Sequence, residues 1–131
     1  MIGYVTVGSN DLARSAAFYD PIAAEMGVGR MMEFETFIAW GKMDGAPGIA
    51  ATKPFDGEEA TVGNGTMVAL ECKDREQVKR LYDIALANGG SDEGEPGPRG
   101  EPDENGMVFY AAYFRDPDGN KLNAFLMDKA A

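Results

Sequence analysis

Sliding the sequence along itself by 63 residues, with no gap, sets Val5 on Val68, Asp11 on Asp74 and Tyr19 on Tyr82. The same shift sets Asp20 on Asp83, Ala24 on Ala87 and Gly27 on Gly90. A match that keeps helix-capping acids, a helix-face tyrosine and terminal glycines in register predicts one structural unit used twice. In the first copy, residues 2–7 alternate like a strand and Asn10 or Asp11 can cap the helix that follows. Leu12, Ala16, Tyr19 and Ile22 or Ala23 then fall near helical spacing, and Gly27 closes the segment. Pro21 interrupts this pattern and predicts a kink or an early helix end. In the second copy, residues 66–71 form the strand and Asp74 caps the helix. Its buried stripe is Val78, Leu81, Tyr82 and Ala85, and Asn88-Gly89-Gly90 ends it.

Each copy continues into extended segments. Residues 31–34 and 37–40 predict a hairpin, 41–48 a Gly/Pro turn, 49–52 a short strand, and 55–65 a polar, glycine-rich linker. Near the other end, two apolar runs flank the turn Asp116-Pro117-Asp118-Gly119-Asn120. Pro117 presets φ there, and Gly119 or Asn120 can take the left-handed conformation. Residues 108–114 and 122–127 read as the two strands of that hairpin. Alternation puts Leu122, Ala124 and Leu126 on one face and Asn123, Phe125 and Met127 on the other. Asn123 thus shares a side with two large apolar groups, where a polar side chain needs a partner, water or a ligand.

The fold class that follows is α+β. One domain, 1–131, holds module one at about 1–56, a linker at about 57–63 and module two at about 64–129. Each module reads as strand, helix, then three strands. Together they supply eight strands and two helices, enough for a curved mixed sheet with helices outside and a small-molecule cleft on its concave side.

Charge and composition narrow the partners. The net charge is −10, from 22 acidic and 12 basic residues, a field that repels nucleic acid and anionic membranes. A cationic or neutral ligand is expected. No apolar run approaches the ~20 residues of a membrane span. The single cysteine, Cys72, excludes an intramolecular disulfide and reads as buried and inert, and no basic segment precedes an apolar core at the N-terminus. The expected location is cytoplasmic. Histidine is absent, which removes histidine acid–base catalysis, the Ser-His-Asp triad and histidine metal sites.

Three stretches in this order, YVTVGSNDLARSAAFYD, GNGTMVAL and FRDPDGNKLNAF, resemble the vicinal oxygen chelate superfamily of glyoxalase I, extradiol dioxygenases and bleomycin-resistance proteins. The resemblance spans nearly the whole chain. It implies paired βαβββ modules forming a cup-shaped eight-stranded mixed sheet with helices outside, usually in a homodimer. In metal-dependent members, histidines and glutamates on the first and last strands of each module hold a divalent ion. Carried onto this chain, those positions are Tyr4, Met67 and Asn123, with no ligand side chain at residues 49–51. A phenol, a thioether and a neutral amide suit a hard cation poorly, so no metal and no cofactor is expected.

The ligand-binding candidates are therefore Tyr4, Met67, Asn123, Trp40 and Arg99. Tyr4 fits a hydrogen-bonding group in the cup or a tyrosine packed in the core. Met67 fits an apolar pocket wall or plain filling. Asn123 can orient a ligand or bond local backbone. Trp40, Phe34 and Phe37 can stack on a planar ligand or belong to the core. Residues 91–106, with six acidic side chains and Arg99, read as a loop, either closing over the cup or simply solvated. Asp116, Asp118 and Gly119 read as shaping their turn. The function expected is metal-free binding or sequestration of a cationic or aromatic small molecule, by a homodimer. The alternative is a divergent enzyme, a lactoylglutathione lyase-like or isomerase activity, using non-histidine residues or an unplaced metal. Retention mainly for dimerisation is a third reading.

Overall fold

The computed structural model describes residues 1–130. Module one runs β1 (Tyr4–Gly8), α1 (Leu12–Glu25), β2 (Gly29–Phe34), β3 (Phe37–Gly41) and β4 (Gly48–Thr52). Module two repeats the plan with β5 (Val68–Glu71), α2 (Arg75–Ala87), β6 (Ser91–Arg99), β7 (Met107–Arg115) and β8 (Lys121–Lys129). Both helices start at the acids that the repeat aligns. Asp11 accepts from the Arg14 amide and Asp74 from the Gln77 amide, satisfying N–H groups that a helix start leaves unpaired. None of the helices among the described residues is long and apolar enough to cross a membrane.

The strands form two four-stranded sheets, ordered β1-β4-β3-β2 and β5-β8-β7-β6. In each, the first strand pairs parallel with the last, and the other pairs are antiparallel. One chain therefore does not close the eight-stranded cup. β1 and β5 each keep one unpaired edge. What joins the modules is the helical layer. Phe18 on α1 lies 4.8 Å from Tyr19 and 6.3 Å from Phe114 on β7, so a single apolar core runs through both halves. The inner sheet faces, with Val7, Ile38, Trp40 and Ala51 in one and Leu122, Ala124 and Phe114 in the other, pack into that core. The outer faces point away from the helices.

Two expectations fail here. Pro21 does not end the helix early, since α1 runs on to Glu25. Ile22 and Ala23, just past it, are 4% and 5% exposed, and their burial outweighs one missing backbone bond. The acidic stretch is not a loop throughout: residues Ser91–Arg99 form β6, paired to β7, and only 100–106 connect the strands. β6 is an edge strand, where prolines and register shifts are tolerated.

The turn 116–120 also does more than shape a hairpin. The Asp118 side chain, 2% exposed, accepts from the Asn10 amide at 3.0 Å, Arg14 Nη2 at 2.8 Å and Ser15 Oγ at 3.2 Å, all in module one. Asp116 accepts from the Tyr19 hydroxyl at 2.7 Å, and Asn120 Nδ2 donates to the Gly8 carbonyl at 2.8 Å. These carboxylates latch module two onto the β1–α1 corner. Gly119 has φ 89°, the left-handed geometry that the turn needs.

Candidate functional site

The expectation of one cavity holding both Tyr4 and Met67 is not met within a single chain. An apolar groove of about 770 Å³ opens between α1, the inner side of β1 and β4, and β5. Met67 and Trp40 line it with Val5, Ile22, Met26 and Ile49; Tyr4, Asn123 and Arg99 do not. Tyr4 is instead on the outer face of module one, 49% exposed and edge-on to Phe37 at 5.8 Å. Met67, just before β5, is 40% exposed. Trp40 is a core residue: it is 2% exposed, lies 5.1 Å from Tyr19, and donates its indole N–H to Asp20 at 2.7 Å. Asp20 also pairs with Arg30, which holds its carboxyl below the usual range.

Asn123 and Arg99 share the outer face of module two, two rows apart. Register builds that face in rows: Asn123 lies between Ala69 on β5 and Tyr113 on β7, with Gly94 of β6 beyond. The next row carries Phe125 and Ala111, and then come Met127, Phe109 and Arg99. Phe109 and Phe125 stack at 5.4 Å with 21° between their rings. Asn123 is 1% exposed, and its Oδ1 is buried with no hydrogen-bond partner. The module-one position matching Asn123 in strand register is Ala50, opposite Thr6, so the polar group is on one side only.

The Arg99 guanidinium folds back along its own strand. It donates to the Glu95 carbonyl at 2.6 Å and the Gly97 carbonyl at 2.9 Å, and its Cζ lies 5.4 Å from the Tyr113 ring centre. A Cβ on Gly94 would sit 3.1 Å from Arg99 Nη2 and 3.3 Å from Tyr113, and one on Gly97 would sit 3.3 Å from Arg99 Nη1. Glycine at both positions leaves the track that the side chain occupies. Lys121, absent from the sequence-based candidates, brings its Nζ to 5.4 Å from the same Tyr113 ring. Alternation with Asn123, two residues on, was the signal for it.

The positions that would carry metal ligands do not fit a divalent ion. The chain has no histidine, Tyr4 and Asn123 stand on separate sheets, and among the described residues no three His, Cys, Asp or Glu side chains gather suitably. Cys72, the one thiol, is buried, and burial pushes its pKa up to about 11, away from a reactive thiolate.

Two βαβββ modules, each with a helix on one sheet face and the other face left open, define a paired-module cup protein. Comparison with known proteins agrees. The sequence profile of the Glyoxalase/Bleomycin resistance protein/Dioxygenase superfamily matches residues 1–124, and the chain belongs to that superfamily. A solved glyoxalase/bleomycin resistance protein from Albidiferax ferrireducens T118 is similar at 35% identity and TM-score 0.81, over 95% of this chain and 97% of that one. A glyoxalase/bleomycin resistance protein/dioxygenase family enzyme from Burkholderia phytofirmans PsJN is similar in fold at 17% identity and TM-score 0.71, over 94% and 95% of the two chains. Lactoylglutathione lyase from Agrobacterium tumefaciens is similar in fold at 18% identity and TM-score 0.64, over 95% and 92%. No curated protein matches the chain.

Proposed function

We propose that this protein binds a small molecule without a metal ion, in a cup that a second copy of the chain completes. The observation that carries the reading is the Asn123 carbonyl, buried on the outer face of module two with no donor. An unpaired buried acceptor costs about 1–3 kcal/mol, which a ligand N–H or O–H recovers. The stacked Phe109–Phe125 pair beside it offers apolar contact. Burial there contributes roughly 25 cal/mol per Å² before ordering costs.

The sheet edges support the second copy. The outer edges are guarded: β2 has a register shift and the charged Arg30 and Glu33, while β6 has two shifts, Pro96, Pro98 and three acids. Such features block strand addition. The inner edges have no register shift and no proline. β1 reads YVTVG and β5 reads VALE, with Ile2, Tyr4 and Met67 exposed beside them. Pairing β1 of one copy with β5 of another would give an eight-stranded sheet and bring Tyr4 toward the face that holds Asn123. A homodimer of this kind also covers the apolar groove.

A thermal-shift screen of small molecules, repeated with a strong chelator, tests the reading. Hits should bind equally well in both, and Asn123→Ala should weaken them about tenfold with little loss of fold. Binding abolished by the chelator would overturn the metal-free reading and put the metal-dependent enzyme alternative in its place.

A further inference from the structure

The outer face of module two is not neutral. Arg99 and Lys121 approach the same ring, Tyr113, at 5.4 Å each, and Tyr113 is the cross-strand neighbour of Asn123. Neither cation has a carboxylate partner among the described residues, in a chain with 22 acids against 12 bases. Arg115, on the same face, has such a partner: its Nε meets Glu93 at 2.6 Å. Lys42, Lys53, Lys73 and Lys129 also lack an ion pair among the described residues; Arg99 and Lys121 differ in sharing one ring beside Asn123.

The Arg99 guanidinium is also held in place. Its contacts to the carbonyls of Glu95, Gly97 and Pro98 use three of five N–H donors, leaving Nε–H and one Nη2–H. A guanidinium fixed by backbone carbonyls loses little freedom when an anion arrives. Lys121 Nζ makes no hydrogen bond among the described residues, so all three of its donors remain. Next to them lie the orphaned Asn123 amide and the stacked Phe109–Phe125 pair.

We propose that this face selects an aromatic carboxylate that also carries a hydroxyl group, whose O–H meets the unpaired Asn123 Oδ1. Its anionic group sits against Arg99 and Lys121 beside Tyr113, and its ring packs on the Phe109–Phe125 side. This rests on the reading of the face as the floor of the binding cup. It reverses the ligand charge that the net charge suggests. Glu71 stands beside Phe125 and Glu93 is taken up by Arg115, so the uncompensated charge next to Tyr113 is positive, while more distant carboxylates are screened within about 8–10 Å. A charge-assisted contact at the floor outweighs a diffuse opposing field.

The test uses three probes of one shape, each with the same hydroxyl for Asn123: 4-fluoro-3-hydroxybenzoate, 4-fluoro-3-hydroxybenzamide and 4-fluoro-3-hydroxybenzylammonium, titrated into the dimer and followed by fluorine NMR. Fragments of this size bind at about millimolar affinity. The benzoate should bind about tenfold more tightly than either of the others. Arg99→Gln should remove most of that preference. Lys121→Gln should reduce it several-fold, and it keeps the test valid if Arg99→Gln disturbs β6. Binding of all three without preference, preference for the ammonium, or a preference untouched by Lys121→Gln and by a folded Arg99→Gln would overturn the inference, leaving small-molecule binding intact. Failure of every probe to bind would remove the cup reading and this inference with it.

Discussion

Asp11 and Asp74 cap their helices at closely similar φ, −157° and −159°, yet the tyrosines that the repeat aligns have different partners. Tyr19, 1% exposed, donates across the chain to Asp116 of the other module at 2.7 Å. Tyr82, half-buried, donates to Asp92 of its own module at 2.9 Å. Strand lengths diverge likewise: β2, β3 and β4 have 6, 5 and 5 residues, whereas β6, β7 and β8 have 9 each. The outer faces differ most. Module one presents Tyr4, Phe37 and Ala50; module two presents Asn123, Tyr113, Arg99 and Lys121. The repeat is kept at the helix caps, slips by one residue at the helix stops, where the left-handed glycines are Gly27 and Gly89, and is lost where the units touch or present a surface.

The glycines that the repeat aligns, Gly27 and Gly90, give the largest expected contrast. A Cβ on Gly90 would meet the Ala85 and Arg115 carbonyls at 2.7 Å and Phe18 at 2.8 Å, two of them backbone. Gly90→Ala should destabilise by about 3 kcal/mol or more. Gly27 has open space around it but φ +77°, so Gly27→Ala should cost only about 1 kcal/mol. Chemical denaturation of the two variants reads the difference; equal losses would mean that close packing at Gly90 matters no more than the turn at Gly27.

The tyrosine pair comes next. Tyr19→Phe removes a buried donor to Asp116 and should cost about 1–3 kcal/mol, against about 0.5 kcal/mol or less for Tyr82→Phe. Alkaline pH acts on both, since burial and Asp92 push the Tyr82 hydroxyl up to about 12 as well. Burial first, and Asp116 second, hold the Tyr19 hydroxyl protonated well above its usual range. A raised folded value contributes stability that is complete below the unfolded value of about 10 and is lost as pH rises beyond it. Wild-type stability should therefore fall above about pH 10, and fall less in Tyr19→Phe.

How far the sequence exposed this asymmetry depends on the range of the forces involved. Asp11, Asp74 and the turn at Pro117 and Gly119 were legible because a cap or a turn is set by neighbours in the chain. The strand Ser91–Arg99 was not, since its pairing comes from β7 and its own residues show neither alternation nor β-propensity. The bonds from Asp118 to Asn10 and Ser15 span more than a hundred residues, so no local pattern encodes them. At the candidate site, Asn123 stood out by alternation alone. Arg99 and Tyr113 meet only because Gly94 and Gly97 clear a path, a fact of packing.

The smallest effect expected isolates Asn123 itself. Asn123→Leu replaces an unpaired amide by an apolar group of similar shape, so it should stabilise the free protein by about 1 kcal/mol while weakening ligand binding about tenfold. Ala50→Leu in module one has no polar group to relieve and should give no such gain. An Asn123→Leu variant no more stable than wild type would mean that the amide is already satisfied without a ligand.

The difference between guarded and open sheet edges carries the claim that two copies complete each cup. Sedimentation equilibrium over micromolar concentrations tests it most directly. The account predicts a species of twice the 14.0 kDa chain mass. A chain that stays at 14.0 kDa across that range would contradict it.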